Sequence, residues 1–477
     1  MKDLQRALAA LKSGGALTLS AAPDGFDAFI AADLARLLAK DAEQRAAVFV
    51  HVARDGQRSR AFMEALAFAA PNVEALELPA WDCQPYDRVS PSGAVVARRM
   101  TALSRLARAR SSLERPRVLC LTVNGVLQRV PPRKWMQAES LSAAPGNALN
   151  MDDLARWLET NGFLRSTTVR ETGEYALRGG ILDLWPAGLD APLRLDFFGD
   201  TLESIRAFDP ETQRTTGQLR ALDLVPMSEV TLTSEAIRRF RQGYTAAFGA
   251  MTRGDALYEA ISEGRRHPGM EHWLKLYYGD LDTVFDYVGD APVIFDALAE
   301  EAADERLKQI EDYYGARKAQ YDANPAEAGY KPLPPDALYL SADNWREAIA
   351  KRAHARVAPL PTPDERGAVD CGGRIGRNFA PERADESANV FEAAIAHTQA
   401  LREGGKRVII AAWSDGSRER LSAVLGEHGL KQMQVVASLA DAQALDANAV
   451  ALAVMGVEAG FETPDFAVIG EIGRAHV

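Results

Sequence analysis

The stretch Ala16-Leu17-Thr18-Leu19-Ser20-Ala21-Ala22-Pro23-Asp24-Gly25-Phe26-Asp27-Ala28 runs from a short apolar segment, through a Pro-Asp-Gly turn, into a helical pattern. Strand, tight loop and helix form the opening unit of a parallel α/β sheet, and the residues that follow repeat it. Buried strands are expected at Ala16–Ser20, Ala47–Val52, Val73–Leu78 and Val118–Val123, with helices at Asp27–Lys40, Ser59–Ala69 and Val95–Arg110 between them.

The same loop carries a chemical message. A phosphate-binding loop at this place is rich in glycine and ends in Lys-Ser/Thr, so that backbone N–H groups cradle phosphate and the hydroxyl holds magnesium. Here there is one glycine and no lysine, and Asp24 and Asp27 flank Gly25 where phosphate would sit. Two carboxylates repel that ligand, so this loop is not expected to bind nucleotide. The other Gly-Lys pair, Gly405-Lys406, precedes a strand instead of following one, and Arg407 replaces the hydroxyl.

Beyond Pro131-Pro132 the texture changes. A helix at Asp152–Asn161 is followed by glycine-punctuated strand patterns at Thr167–Glu171, Tyr175–Leu177, Ile181–Trp185, Leu193–Phe198 and Leu202–Phe208, the pattern of a small, mostly antiparallel α+β domain. Thr231–Lys351 reads as helical and aromatic-rich, with a return strand at Val293–Phe295. The last part alternates again: strands at Val408–Trp413, Val450–Met455 and Phe466–Ile469, and a helix at Ser417–Glu427. The expected organisation is a parallel domain begun by residues 1–130, an inserted α+β domain at 131–214, and a largely helical second part of the parallel domain at 215–358. A polar linker at 359–383 and a further small α/β domain at 384–477 complete it.

The composition suits several packed domains: 477 residues, 47% hydrophobic and 25% charged. A net charge of −11 argues against non-specific coating of nucleic acid. Cys83, Cys120 and Cys371 are far apart and make no C-x-x-C pair, which fits a reducing compartment. The N-terminal pattern lacks a signal peptide's apolar run and cleavage site, so a cytoplasmic location is expected. No catalytic or metal constellation emerges. His267 and His272 have the wrong spacing for a two-histidine helix face, and no G-x-S-x-G elbow occurs. Asp304-Glu305 and Asp364-Glu365 do not end apolar strands, and Gly372-Gly373-Arg374-Ile375-Gly376 reads as a flexible part of the linker.

The informative strand is Leu193-Arg194-Leu195-Asp196-Phe197-Phe198. Its period of two puts Leu193, Leu195 and Phe197 on the core face and Arg194, Asp196 and Phe198 on the other. Ile181–Trp185 similarly turns Asp183 and Trp185 away from Leu182 and Leu184. Arginine beside an aromatic residue is the composition of a protein-binding hot spot. The competing reading packs Phe198 under a helix and pairs Arg194 with Asp196 or Asp200. A second candidate surface is a basic stretch that includes Arg98, Arg99, Arg105 and Arg108. It reads either as a patch for DNA or an acidic partner, or as a solvated helix face.

Several segments resemble one family. Leu78-Pro79-Ala80-Trp81-Asp82-Cys83-Gln84-Pro85-Tyr86-Asp87-Arg88-Val89-Ser90-Pro91 is similar to the L-P-x-W-[DE]-x-x-P-Y-[DE]-x-x-S-P segment of bacterial transcription-repair coupling factors. Val123–Arg129, Gly173–Pro186, Arg194–Phe198 and Phe208–Arg214 continue the likeness in order and spacing. The resemblance implies a UvrB-like parallel-sheet domain with a degenerate phosphate loop and an inserted module that binds the excision-repair protein UvrA. It assigns the UvrA contacts to Arg178, Arg194 and Phe198. It implies no cofactor for the residues present. ATP and magnesium, RNA polymerase and double-stranded DNA belong to a polymerase-binding domain and an ATP-driven translocase that do not follow Phe466 here. The intact loop and tyrosine-rich hairpin of UvrB itself are missing, which disfavours the alternative of an ATP-dependent damage-binding helicase. The closing residues 472–477 do not continue the family pattern and are expected to be non-native.

Overall fold

The computed structural model describes the chain except for residues 1, 42–47, 109–114, 250–253, 326–328, 363–366, 386, 471 and 473–477. The tail from 473 onward and the carboxylate pair at 364–365 therefore lie outside the described residues.

The first domain is built on a seven-stranded sheet. Its strands lie in the order Ala368–Asp370, Ala16–Ser20, His354–Val357, Val293–Phe295, Val48–Ala53, Arg117–Thr122 and Glu74–Glu77, and every neighbouring pair is parallel. A parallel sheet covered on both faces needs apolar residues on both. Val48, Val50 and Val52 accordingly enter one core, and Phe49 enters the other with Val118, Cys120 and Ile294. The expected α/β architecture is present, including the return strand at Val293–Phe295.

The inserted domain carries a six-stranded sheet in the order Thr215–Leu219, Thr201–Phe208, Leu193–Phe198, Ile181–Leu184, Glu174–Arg178 and Leu164–Arg165. It is antiparallel apart from its last pair. Its inner face, with Leu182, Leu193, Leu195 and Ile205, is continuous with the core around Val50, Leu121 and Phe295, so insertion and parent share one apolar interior. The sheet runs past the expected boundary at 214. Thr215–Leu219 pairs with Thr201–Phe208, and Leu222–Leu224 pairs back to Leu141–Ala143. Thr167–Glu171 forms no strand. Its Arg170 and Glu171 amides donate to the Glu174 carboxylate at 2.8 and 3.0 Å, a side-chain cap that replaces a ladder.

The helical part gathers Phe240, Tyr244, Trp273, Tyr277 and Tyr330 into an aromatic core, and the Leu78–Pro91 segment contributes Trp81 and Tyr86 to it. The last domain has its own six-stranded sheet, centred on Arg407–Ala412. The stretch expected to be a linker at 359–383 is structured at two points. Ala368–Asp370 is the edge strand of the first sheet, and Arg374–Ile375 pairs with Phe461–Glu462 of the last one. Nor are its glycines there for flexibility. A Cβ on Gly373 would meet the Phe26 ring at 2.5 Å and the Ala21 carbonyl at 2.7 Å, and one on Gly376 would meet the Ala459 carbonyl at 2.8 Å. Close backbone crossings require these glycines.

Candidate interaction face and the closed loop

Strand register decides which side chains share the outer face of the inserted sheet. Asp183 stands opposite Arg194, which stands opposite Arg206; one step on, Arg178 faces Ile181, Ile181 faces Asp196, and Asp196 faces Ser204. Arg178, Arg194 and Phe198 therefore lie on one face. Arg178 and Phe198 each immediately precede a two-residue hairpin turn, Gly179-Gly180 and Gly199-Asp200, and both turns are at the same end of the sheet. Gly179 and Gly199 have φ of +60° and +58°, the left-handed backbone such turns demand.

The three residues are not equally free. Arg194 makes a two-pronged pair with Asp183, Nε to Oδ1 at 2.7 Å and Nη2 to Oδ2 at 2.8 Å, and lies over the Phe208 ring at 4.7 Å. Its side chain is 18% exposed and that of Asp183 only 3%, and this hydrogen bonding to Asp183 raises the guanidinium pKa. Neither Asp196 nor Asp200 is its carboxylate partner. Asp196 binds Arg206 instead, at 2.7 and 3.0 Å. Arg178 is exposed and donates to the Thr167 carbonyl at 2.5 Å and to Thr168 Oγ1 at 2.9 Å. Phe198 is 77% exposed, and no helix covers it. The face thus consists of satisfied charges ending in one bare aromatic ring.

In the basic stretch Arg98, Arg99, Arg105 and Arg108 are each paired with a carboxylate. Arg99 is fully buried, with Nε 2.6 Å from Glu229 Oε1, and Trp81 Nε1 donates to the same oxygen at 2.7 Å. Arg98 pairs with Glu77 at 2.8 Å, Arg108 with Asp223 at 2.9 Å, and Arg105 with Glu74. Each cation is spent on a carboxylate from a different part of the chain, which sequence proximity conceals.

The loop after Ala16–Ser20 is closed by the chain itself. The Ala21 and Ala22 amides donate to the Leu360 and Ala358 carbonyls at 3.1 and 3.0 Å, and Phe26 N donates to the Pro23 carbonyl at 3.0 Å. Gly25 N donates to Asp27 Oδ1 at 3.0 Å, so the anion at this helix N-terminus is the protein's own carboxylate. Val457 and Phe461 of the last domain sit above Gly25, at 3.1 and 3.3 Å from where a Cβ would stand. Beneath lies a knot of charges. Arg58 Nε is 3.1 Å from Asp296 Oδ1 and 3.5 Å from Asp24 Oδ1, and its Nη2 contacts Asp27. Arg54 is 3.3 Å from Asp24 and 3.4 Å from Asp296. Burial pushes Asp296 up to about 6, and Asp27 also upward, against the pull of Arg58. Asp296 went unremarked in the sequence, although an aspartate directly after the apolar run Val293–Phe295 was the signal to look for.

The remaining candidates are structural. Lys406 pairs with Glu462 at 2.7 Å. His272 Nε2 lies 3.2 Å from the Val89 carbonyl, and burial lowers its pKa to about 4; His267 Nδ1 lies 2.8 Å from the Pro268 carbonyl. Among the described residues no helix is long and apolar enough to cross a membrane.

Two domain families match this chain: the UvrB interaction domain over residues 141–230, and the D3 domain of MFD over residues 401–472. Among curated proteins, the transcription-repair-coupling factor of Myxococcus xanthus is 38% identical over 265 residues, 53% of this chain and 22% of that protein. That of Haemophilus influenzae is 32% identical over 266 residues, 56% of this chain and 22% of the relative. That of Rickettsia bellii is 26% identical over 423 residues, 88% of this chain and 36% of the relative. The chain thus spans between 22% and 36% of the length of these relatives. By these two domain matches and alignments, the chain is similar to part of the transcription-repair-coupling factors.

Proposed function

We propose that this chain is the recruiting part of a transcription-repair coupling factor, an adaptor that presents the outer face of its inserted domain to UvrA. The parent activity would be ATP-driven translocation on double-stranded DNA that displaces a stalled RNA polymerase. The observation that carries the reading is Phe198: a large aromatic side chain, 77% exposed, at the end of a face whose charges are otherwise satisfied, in a domain of the UvrB interaction family. Exposed aromatics beside arginine are where binding energy concentrates at interfaces. Arg178 flanks it at the same end of the sheet, and Arg194 stiffens the strand that presents it.

Calorimetry against UvrA tests this with Phe198→Ala and Arg178→Ala. Each should lose about 2 kcal/mol or more of binding free energy, with melting temperature unchanged. Full affinity in both variants would sink the assignment. A UvrB-like helicase reading has little support, because the loop amides that would hold phosphate are engaged within the chain. Saturable, magnesium-dependent ATP binding would restore it.

A further inference from the structure

Three buried groups from three separate parts of the first domain converge below the closed loop. Asp27 comes from the first turn of the helix Phe26–Asp41, His51 from within Val48–Ala53, and Asp296 directly follows Val293–Phe295. One ligand atom from each lies within 4.8 Å of the others.

His51 is the anomaly. It is wholly buried, its ring stacks on Phe62 at 3.5 Å with planes 7° apart, and neither ring nitrogen makes a hydrogen bond. Its Nε2 lies 3.8 Å from Asp27 Oδ2, pointing the imidazole at the two carboxylates. Burial, helped by the Arg58 charge, keeps it neutral, the form that ligates metals. A buried polar side chain with no partner calls for an explanation. The charge balance points the same way. Four carboxylates, Asp24, Asp27, Asp55 and Asp296, share two guanidiniums, Arg54 and Arg58, so the cluster as a whole carries more negative charge than its cations offset.

We propose that Asp27, His51 and Asp296 ligate a divalent transition-metal ion of the zinc or manganese class, with Arg58 swinging aside to admit it. One imidazole nitrogen and two carboxylate oxygens are a donor set both ions accept, and three protein ligands leave a further position open. Arg58 has somewhere to go. It borders a cleft of about 670 Å³ whose wall also carries Asp24 and Asp55. The site needs no nucleotide.

The test uses the full chain, stripped with a chelator and dialysed against ZnCl2 or MnCl2, with bound metal counted by mass spectrometry and affinity measured by calorimetry. One ion per chain is expected. His51→Phe and Asp296→Asn should each weaken binding at least about tenfold, and Arg58→Met should tighten it by removing the competing cation. Asp296→Asn keeps an acceptor for Arg58 and so guards against a folding defect in His51→Phe. Equal binding in the wild type and both ligand variants would place the metal elsewhere, for instance at His397 beside Glu462, and would overturn the proposal. So would the absence of binding in both the wild type and Arg58→Met.

Discussion

Two arginines, Arg194 and Arg58, sit in networks of similar parts and opposite character. On the inserted sheet one guanidinium meets one carboxylate, Arg194 with Asp183, and the neighbouring pair, Arg206 with Asp196, repeats the ratio. Under the closed loop Arg58 meets three carboxylates, Asp24, Asp27 and Asp296. A balanced pair is chemically quiet, and the uncharged Phe198 ring on the same face stands exposed. An unbalanced knot shifts pKa values and retains affinity for a further cation. Stoichiometry of charge, more than its amount, separates the outer face of the inserted sheet from the knot under the loop.

The strongest way to break this contrast is Arg58→Met. It leaves the buried Asp27 without its guanidinium and Asp296 with Arg54 alone, and should cost about 3–5 kcal/mol in chemical denaturation near neutral pH. A smaller effect follows from acidity. Asp296 stands at about 6 in the folded chain against an ordinary 3.8. A carboxyl raised on folding holds its proton more tightly in the native state, so its contribution is present below about pH 4 and is lost as the pH rises through 6. Melting temperatures across that window should show this decline, and Asp296→Asn should flatten it. Arg194→Ala comes next. It strands a buried Asp183 and should cost about 1–3 kcal/mol, so any loss of partner binding in that variant mixes recognition with stability. Phe198→Ala should change stability by no more than about 0.5 kcal/mol while removing the anchor. A Phe198→Ala protein that melts several degrees lower would show that the ring packs where the sheet leaves it bare.

Much of the scaffold could be read from the sequence because period and punctuation declare it. Val293–Phe295 and Phe466–Ile469 are unbroken apolar runs, and Leu193–Phe198 alternates cleanly. What stayed hidden depends on register and on distant partners. That Arg194 chooses Asp183 over Asp196 follows from which residues face each other across the hairpin, and periodicity within one strand does not contain that. Arg99 was legible in principle. It stands four residues after Val95 and four before Leu103, on the buried face of its helix, and only its charge argued for the surface. His51 lies in a strand buried at every position, where nothing marks one side chain from its neighbours. Ala368–Asp370 is a three-residue strand ending in a charge, too short for its alternation to register.

That short strand has a mechanical consequence. Within eight residues the chain belongs first to the edge of the first sheet and then to the edge of the last, at Ala368–Asp370 and Arg374–Ile375. It is a stitch and not a tether. Tension pulling the last domain away from the first would load the hydrogen bonds to Ala16–Ser20 before any slack could be drawn out. Rotation between the two bodies is likewise limited to what the few residues between the strands can absorb. A protein that must hold its recruiting surface in a fixed attitude under load would gain from being sewn together at this point.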